Sequence, residues 1–404
     1  MSANPVPARP RRHDIDALRV LAFAVLILYH AGMFYVADWG WHIKSTYLAD
    51  WLKWPMILVN QWRMSLLFLI SGVAVNFLLR RSGPGAFAWS RTRRLLVPLL
   101  FGMAVVVPPQ AYLQALSNGS FDGDYAQFLL RYVTFQPWPA GAFDGSHVGV
   151  TWNHLWYLPY LLAYSLLLAA LLPLLRGRGG QALRDRFRGL RGWRLWLLPA
   201  LPLAVASWLL IGRFPTTHDL IADWHSHAIY FAMFLYGYWI GADTGLWEEL
   251  KRRRWWLLGA AIPSFVAILW LLFTTGPESS TPMHALFALV QRLNAWTWIL
   301  AVLAWGHHLL NRPFRWLPYA SQAVYPWYVL HQTITVVAGY WLAKLALGPV
   351  VEPALVVLVT VAGCLVIYEF AIRRVRALRP LFGVPPAGRT PPPDVARGAC
   401  ASAS

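Results

Sequence analysis

Three arginines and three histidines stand inside stretches that are otherwise strongly apolar: Arg19, Arg63 and Arg292, and His30, His154 and His331. Ionisable groups in such stretches are rare and usually face a cavity or a partner. A neutral imidazole takes the proton from a hydroxyl as that hydroxyl attacks an acyl carbonyl, and histidine needs little adjustment for this near pH 7. A guanidinium beside it stabilises the developing oxyanion or binds a carboxylate bidentately. Arg19 and His30 are eleven residues apart. At about 100° per residue, that step leaves them about 20° apart on one helix face and roughly 16 Å apart along the axis. One polar face therefore runs most of the way through a helix. Snorkelling alone accounts for Arg19, and pairing with helix carbonyls is the plainer reading of Arg63 and Arg292.

The elements that must position these groups follow from composition. Of 404 residues, 58% are hydrophobic and only 13% charged, against roughly 25% charged in a typical globular protein. Apolar stretches of about 20 residues, each long enough to span a hydrocarbon core, recur along the chain. They fall near 16–36, 54–79, 95–113, 152–174 and 195–212, then 226–242, 255–273, 284–308, 318–343 and 350–372. No cleavable signal precedes the first, so Asp16–Tyr35 is expected to be retained. The fold class is all-α, a polytopic membrane protein of about ten transmembrane helices. The 24 tryptophans sit mostly near the ends of these stretches, as an interfacial belt requires.

The formal charge of +18 is unevenly spread. With sides alternating, one set of connectors holds most of the Lys and Arg, including Arg80–Arg94, Arg176–Arg194 and Lys251–Arg254. The opposite set holds only Lys44, Lys53, Arg131, Arg213 and Lys344. Basic connectors stay cytoplasmic, so both termini are expected inside, and the charge reads as topology rather than nucleic-acid binding. On these bounds His30, Arg63 and Arg292 all lie roughly 9–14 Å below the outer surface. His331 lies deeper and His154 near the outer interface, so the helices that carry them are expected to enclose a polar chamber. Cys364 and Cys400 have no nucleophile setting, and neither a disulfide framework nor a metal site is expected.

Three regions follow: a basic cytoplasmic tail at 1–15, a transmembrane domain at 16–376, and a Pro-, Gly- and Ala-rich tail at 377–404 expected to be disordered. Two outer connectors are long. Residues 37–53 carry Trp39, Trp41 and Trp51, and in 114–151 the spacing of Tyr125, Phe128, Leu129, Tyr132 and Val133 predicts a short interfacial helix. Its aromatics either rest on lipid or help hold an extracytoplasmic substrate. The seven arginines of 175–194 are explained by orientation and anionic lipid. Arg91-Thr-Arg93-Arg94, entering the third span, is placed to meet a polyphosphate.

In order along the chain, Arg19-x10-His30, Phe68-Leu-Ile-Ser71-Gly72, Arg93-Arg94-Leu-Leu-Val-Pro98, His154-Leu-Trp156 and Tyr325-Pro-Trp-Tyr328-Val-Leu-His331 resemble the acyltransferase-3 family of membrane O-acyltransferases over residues 12–375. His13 to Phe34 is most similar to the branch that modifies periplasmic glucans, which includes succinyltransferases. The resemblance implies a multi-pass protein of a bacterial inner membrane. It would move an acetyl or succinyl group from cytoplasmic acyl-CoA, the donor substrate, to a hydroxyl of an extracytoplasmic glycan. It implies His30 as catalytic base and Arg19 as serving the acyl donor or its route. From the residues themselves, Arg63 is expected to aid His30, and Arg93 and Arg94 to bind the donor. Arg292, His331 and His154 are expected on the substrate side. A transporter or flippase for a glycan or organic anion is the alternative, weakened by the lack of a recognisable repeat.

Overall fold

A computed structural model describes residues 12–276 and 279–385. Its elements run α1 (His13–Gly32), α2 (Lys53–Leu79), α3 (Pro84–Phe101), α4 (Pro108–Ser117), α5 (Tyr125–Val133) and α6 (Tyr157–Arg176). There follow α7 (Arg178–Arg188), α8 (Gly192–Leu197), α9 (Ala200–Leu210), α10 (Trp224–Ile240) and α11 (Thr244–Arg252). The chain continues with α12 (Arg254–Thr274), α13 (Thr281–Leu310), α14 (Leu317–Ala343), α15 (Val351–Val366) and α16 (Leu378–Leu381). Among the described residues the only β pairing is one isolated bridge between Val36 and Ala49.

Among the described residues seven helical segments are long and apolar enough to cross a membrane, and α3 with α4 makes an eighth if that bent pair is one span. The bend is 41°. It follows a π-helical turn at Gly102–Val106, and two prolines open α4 where a backbone N–H is missing. The other two of the ten expected spans are helices as well, but length and apolarity do not mark them. Helix α10 has 17 residues. In α14 the buried polar residues His331, Gln332 and Thr335 dilute a 27-residue helix.

Helices α2 and α10 cross at near backbone contact. A Cβ added to Gly72 would overlap the Phe234 carbonyl, and one on Gly237 would overlap the Leu69 carbonyl. Small residues permit this approach between membrane helices. Gly72→Val is therefore expected to cost about 1–3 kcal/mol of overpacking, read as a lower Tm in detergent. An unchanged Tm would mean that the helices separate freely there.

The charged connectors gather at one end of the bundle. Arg12 binds Asp14 at 2.8 and 2.6 Å, and Asp14 also meets His307 Nδ1 at 2.7 Å. Arg188 binds the Trp239 carbonyl at 2.7 Å and lies 3.7 Å from Asp243. Burial by itself would raise the Glu249 carboxyl, yet hydrogen bonds from Arg253, the Gly192 N–H and Arg252 hold it below its ordinary value. At the other end Ser45 donates to Glu352 at 2.7 Å, His42 meets Gln114 at 2.7 Å, and Lys53 pairs with Asp38 at 2.9 Å.

Two expectations need correction. The aromatic helix forms at Tyr125–Val133 as expected, but Phe128 and Tyr132 are buried in a separate cluster with Ala111, Ala142 and Phe143. Their side chains pack within the protein and face neither lipid nor the cavity. The tail expected to be disordered from 377 instead continues into α16, and Phe382 packs on Phe101 with ring centres 5.3 Å apart. Residues 386–404, Cys400 included, lie outside the described residues, as do residues 1–11 of the basic tail.

Candidate active site

Helix α1 buries Leu18, Ala22, Leu26 and His30 at four-residue steps, so His30 continues an apolar stripe toward the bundle interior. Arg63 is likewise buried on α2. His30, Arg63 and Arg292 line a single cavity of about 980 Å³, as their common depth implied. The Arg63 guanidinium lies over the Tyr29 ring, 3.6 Å from its centre. Its Nε and Nη1 are buried without a hydrogen-bond partner among the described residues, and so is Nε of Arg292. Nη2 of Arg292 donates to Gln291 at 2.7 Å. Buried guanidinium nitrogens without partners carry a desolvation cost that an anionic ligand would offset. The carbonyl-pairing reading of Arg63 thus fails for two of its nitrogens.

Four imidazoles come together around His30. Its Nδ1 lies 2.8 Å from Nε2 of His331. His154 faces His331 edge-on at 5.2 Å. His42 joins through Gln332, whose Nε2 donates to it at 2.9 Å. His331 was expected on the substrate side, but it is fully buried behind His30 and does not line the cavity. Its Nδ1 is bound to the Tyr328 carbonyl at 2.8 Å. His154 does line the cavity, yet its Nε2 is engaged by the Val329 carbonyl at 3.1 Å and its Nδ1 faces Gln110 at 3.4 Å. Its polar atoms are therefore spent on the wall.

Phe23, Tyr157 and Tyr328 close one end of the cavity, with Phe23 and Tyr328 ring centres 5.3 Å apart. Arg19 is one turn beyond Phe23 on α1, paired with Asp16 at 3.2 Å. The charges of Arg19 and Arg94 interact across α1 and α3. Arg91 interacts with Arg94 and with Tyr157 and Tyr325, and its Nε contacts Ser165 at 3.3 Å. Arg93 and Arg94 are both exposed, whereas Arg91 is half-buried.

The opposite end is rimmed by Trp41, Asp144, Trp152, His218 and Asp219. Trp41 stacks near His30, with ring centres 5.5 Å apart, whereas Trp51 is exposed. His218, at φ 60°, lies flat on Trp156 at 4.1 Å. Burial lowers its ionisation below the ordinary histidine value, with Asp223 opposing and Arg63 reinforcing, so it is neutral at pH 7. Tyr29, Tyr157, Tyr230 and His218 also line the cavity, and none was expected there. Tyr29 and Tyr157 carried a signal, the first as the neighbour of His30 and the second beside His154-Leu-Trp156.

A helical, multi-span membrane protein with a polar chamber, a paired histidine and unpaired guanidinium nitrogens is the class that fold and site define. Residues 12–369 match the acyltransferase domain of the acyltransferase-3 family, and the chain belongs to that family. It is similar to glucans biosynthesis protein C of Escherichia coli (strain K12) and of Shigella dysenteriae serotype 1 (strain Sd197). Each is 22% identical over 352 residues, covering 84% of this chain and 86% of the relative. No solved structure matches. The protein is thus an acyltransferase-3 family acyltransferase related to glucans biosynthesis protein C.

Proposed function

We propose that the protein is an acyl-CoA-dependent O-acyltransferase of a bacterial inner membrane, acting on a hydroxyl of an extracytoplasmic glycan. The carrying observation is that His30 and an Arg63 guanidinium with two unpartnered nitrogens share one cavity, with Arg19, Arg91 and Arg94 grouped past its Phe23 end. On this reading the arginine-rich end is cytoplasmic, both termini lie there, and ten helices cross the membrane. The segments that must then be cytoplasmic do meet, through Arg12, Asp14 and His307 and through Arg188 and Asp243.

The CoA phosphates rest against Arg19, Arg91 and Arg94, and the pantetheine arm passes the Phe23 and Tyr328 rings to bring the thioester to His30. The acceptor enters past Trp41 and His218. His30 takes the hydroxyl proton as the oxygen attacks the thioester carbonyl, and Arg63 faces the resulting oxyanion. Collapse breaks the carbon–sulfur bond, the thiolate takes the proton from His30, and an ester and free CoA leave. Acetyl and succinyl are the groups considered. The free Nε of Arg292 gives a dicarboxylic acyl group a place to bind.

The reaction is tested in proteoliposomes supplied with acyl-CoA outside and a glucan within. Free thiol is expected to appear in step with ester on the glucan. Glucan or anion movement without thiol release would replace this reading with transport. Arg94→Gln is expected to raise KM for acyl-CoA about 10- to 100-fold with kcat little changed, since a charge-assisted hydrogen bond is worth about 1.5–3 kcal/mol. An unchanged KM would remove Arg94 from the donor site.

A further inference from the structure

We propose that His331 is a positioning residue: it fixes the tautomer of His30 and so makes Nε2 the atom that takes the acceptor's proton. This rests on His30 being the base, as proposed above. Nδ1 of His331 lies 2.8 Å from the Tyr328 carbonyl oxygen and 3.2 Å from that of Trp327. A carbonyl oxygen only accepts, so this nitrogen carries a hydrogen and donates it. In a neutral ring the other nitrogen, Nε2, then bears the lone pair. That atom is 2.8 Å from His30 Nδ1. His30 Nδ1 must therefore donate, and the lone pair of His30 stays on Nε2.

The ring geometry supports a directed bond. The two imidazoles are parallel within 5° and their centres are 5.0 Å apart. With the nitrogens at 2.8 Å, that separation is nearly the bond plus the two ring radii. The rings thus meet edge to edge in one plane and are not stacked face on face. A doubly protonated His331 would reverse the bond, but it would add a second buried cation in the neighbourhood of Arg63.

No neighbouring imidazole competes for the task. His154 donates from Nε2 to Val329 and faces Gln110 with Nδ1. His42 donates from Nδ1 to Gln114 Oε1 at 2.7 Å and accepts from Gln332 at Nε2. Among the described residues His30 Nε2 has no hydrogen-bond partner, and His30 lines the cavity. During transfer the proton passes from hydroxyl to His30 Nε2 and then to the thiolate. His331 keeps its own hydrogen throughout and accepts from the imidazolium without taking charge.

The test is the ¹⁵N spectrum of histidine-labelled full-length protein, with His30 assigned by its loss in His30→Gln. In the wild type His30 is expected as the Nδ1–H tautomer. His331→Leu is expected to shift it toward Nε2–H and to lower kcat about 10- to 10⁴-fold at unchanged KM, the range seen when a partner that orients a histidine is removed. His331→Gln places an amide oxygen near the former Nε2 and is expected to restore the Nδ1–H form and most of the lost rate. An Nε2–H tautomer in the wild type would overturn the inference, whatever the variants do. So would wild-type kcat in His331→Leu, or equal loss in both variants with the tautomer unmoved, which would make His331 structural. Full activity in His30→Ala would instead sink the base assignment, leaving the tautomer measurement standing.

Discussion

His30→Ala is expected to lower kcat by about 10²- to 10⁴-fold, the usual contribution of a positioned general base, while KM for acyl-CoA changes little. His30 is buried, and it lines the cavity while its Nδ1 is tied to His331. Truncation removes the proton acceptor but leaves Arg63 and Tyr29 in place on the same wall. On the proposed reading the donor binds elsewhere, near Arg19 and Arg94, so affinity and rate should separate. The space vacated by the ring also makes chemical rescue feasible. Added imidazole is expected to recover part of the rate in His30→Ala and none in a variant of the arginine cluster. A kcat within threefold of the wild type, at equal folded protein, would remove His30 from the chemistry.

Arg63→Lys is expected to lower kcat about 10²- to 10³-fold, the cost of losing one preorganised oxyanion donor. The substitution keeps the charge and changes its shape. Arg63 lies on Tyr29 at 3.6 Å, and its plane presents Nε and Nη1 without partners. An ammonium has no planar fork to rest on the ring or to offer two parallel donors. The loss is expected with acetyl-CoA and succinyl-CoA alike, because both pass through the same oxyanion. A loss confined to succinyl-CoA, and seen in KM, would reassign Arg63 to the distal carboxylate of the acyl group. Full activity with both donors would take Arg63 out of the site.

The membrane character of the chain was legible because it depends on local apolar runs, which seven helices of the structure still satisfy. The common height of His30, Arg63 and Arg292 was legible, since a rise of about 1.5 Å per residue fixes height once a span is placed. Their meeting in one cavity required in addition that their helices touch. Rotation about the helix axis was not legible. Arg91 contacts Ser165 while Arg93 and Arg94 are exposed, a difference set by how α3 packs on α6. The same limit misplaced His331, whose role depends on which side of α14 meets α1. The aromatic helix Tyr125–Val133 shows a further case. Its periodicity specified a helix, but nothing local told whether Phe128 and Tyr132 would meet lipid, ligand or their own cluster. His218 reaches the cavity by a loop at positive φ, which no periodic pattern foreshadows.

The claim that His30 drives transfer of an acyl group to an extracytoplasmic glycan is tested most directly in cells. Base-labile acyl groups on envelope glycans would be compared by mass spectrometry between cells carrying the wild type and cells carrying His30→Ala, with both proteins shown at equal levels in the membrane. A defined acyl mass that the wild type adds and His30→Ala does not is the expected result, and it would identify the acyl group and its acceptor together. The same acyl pattern from both proteins would contradict it.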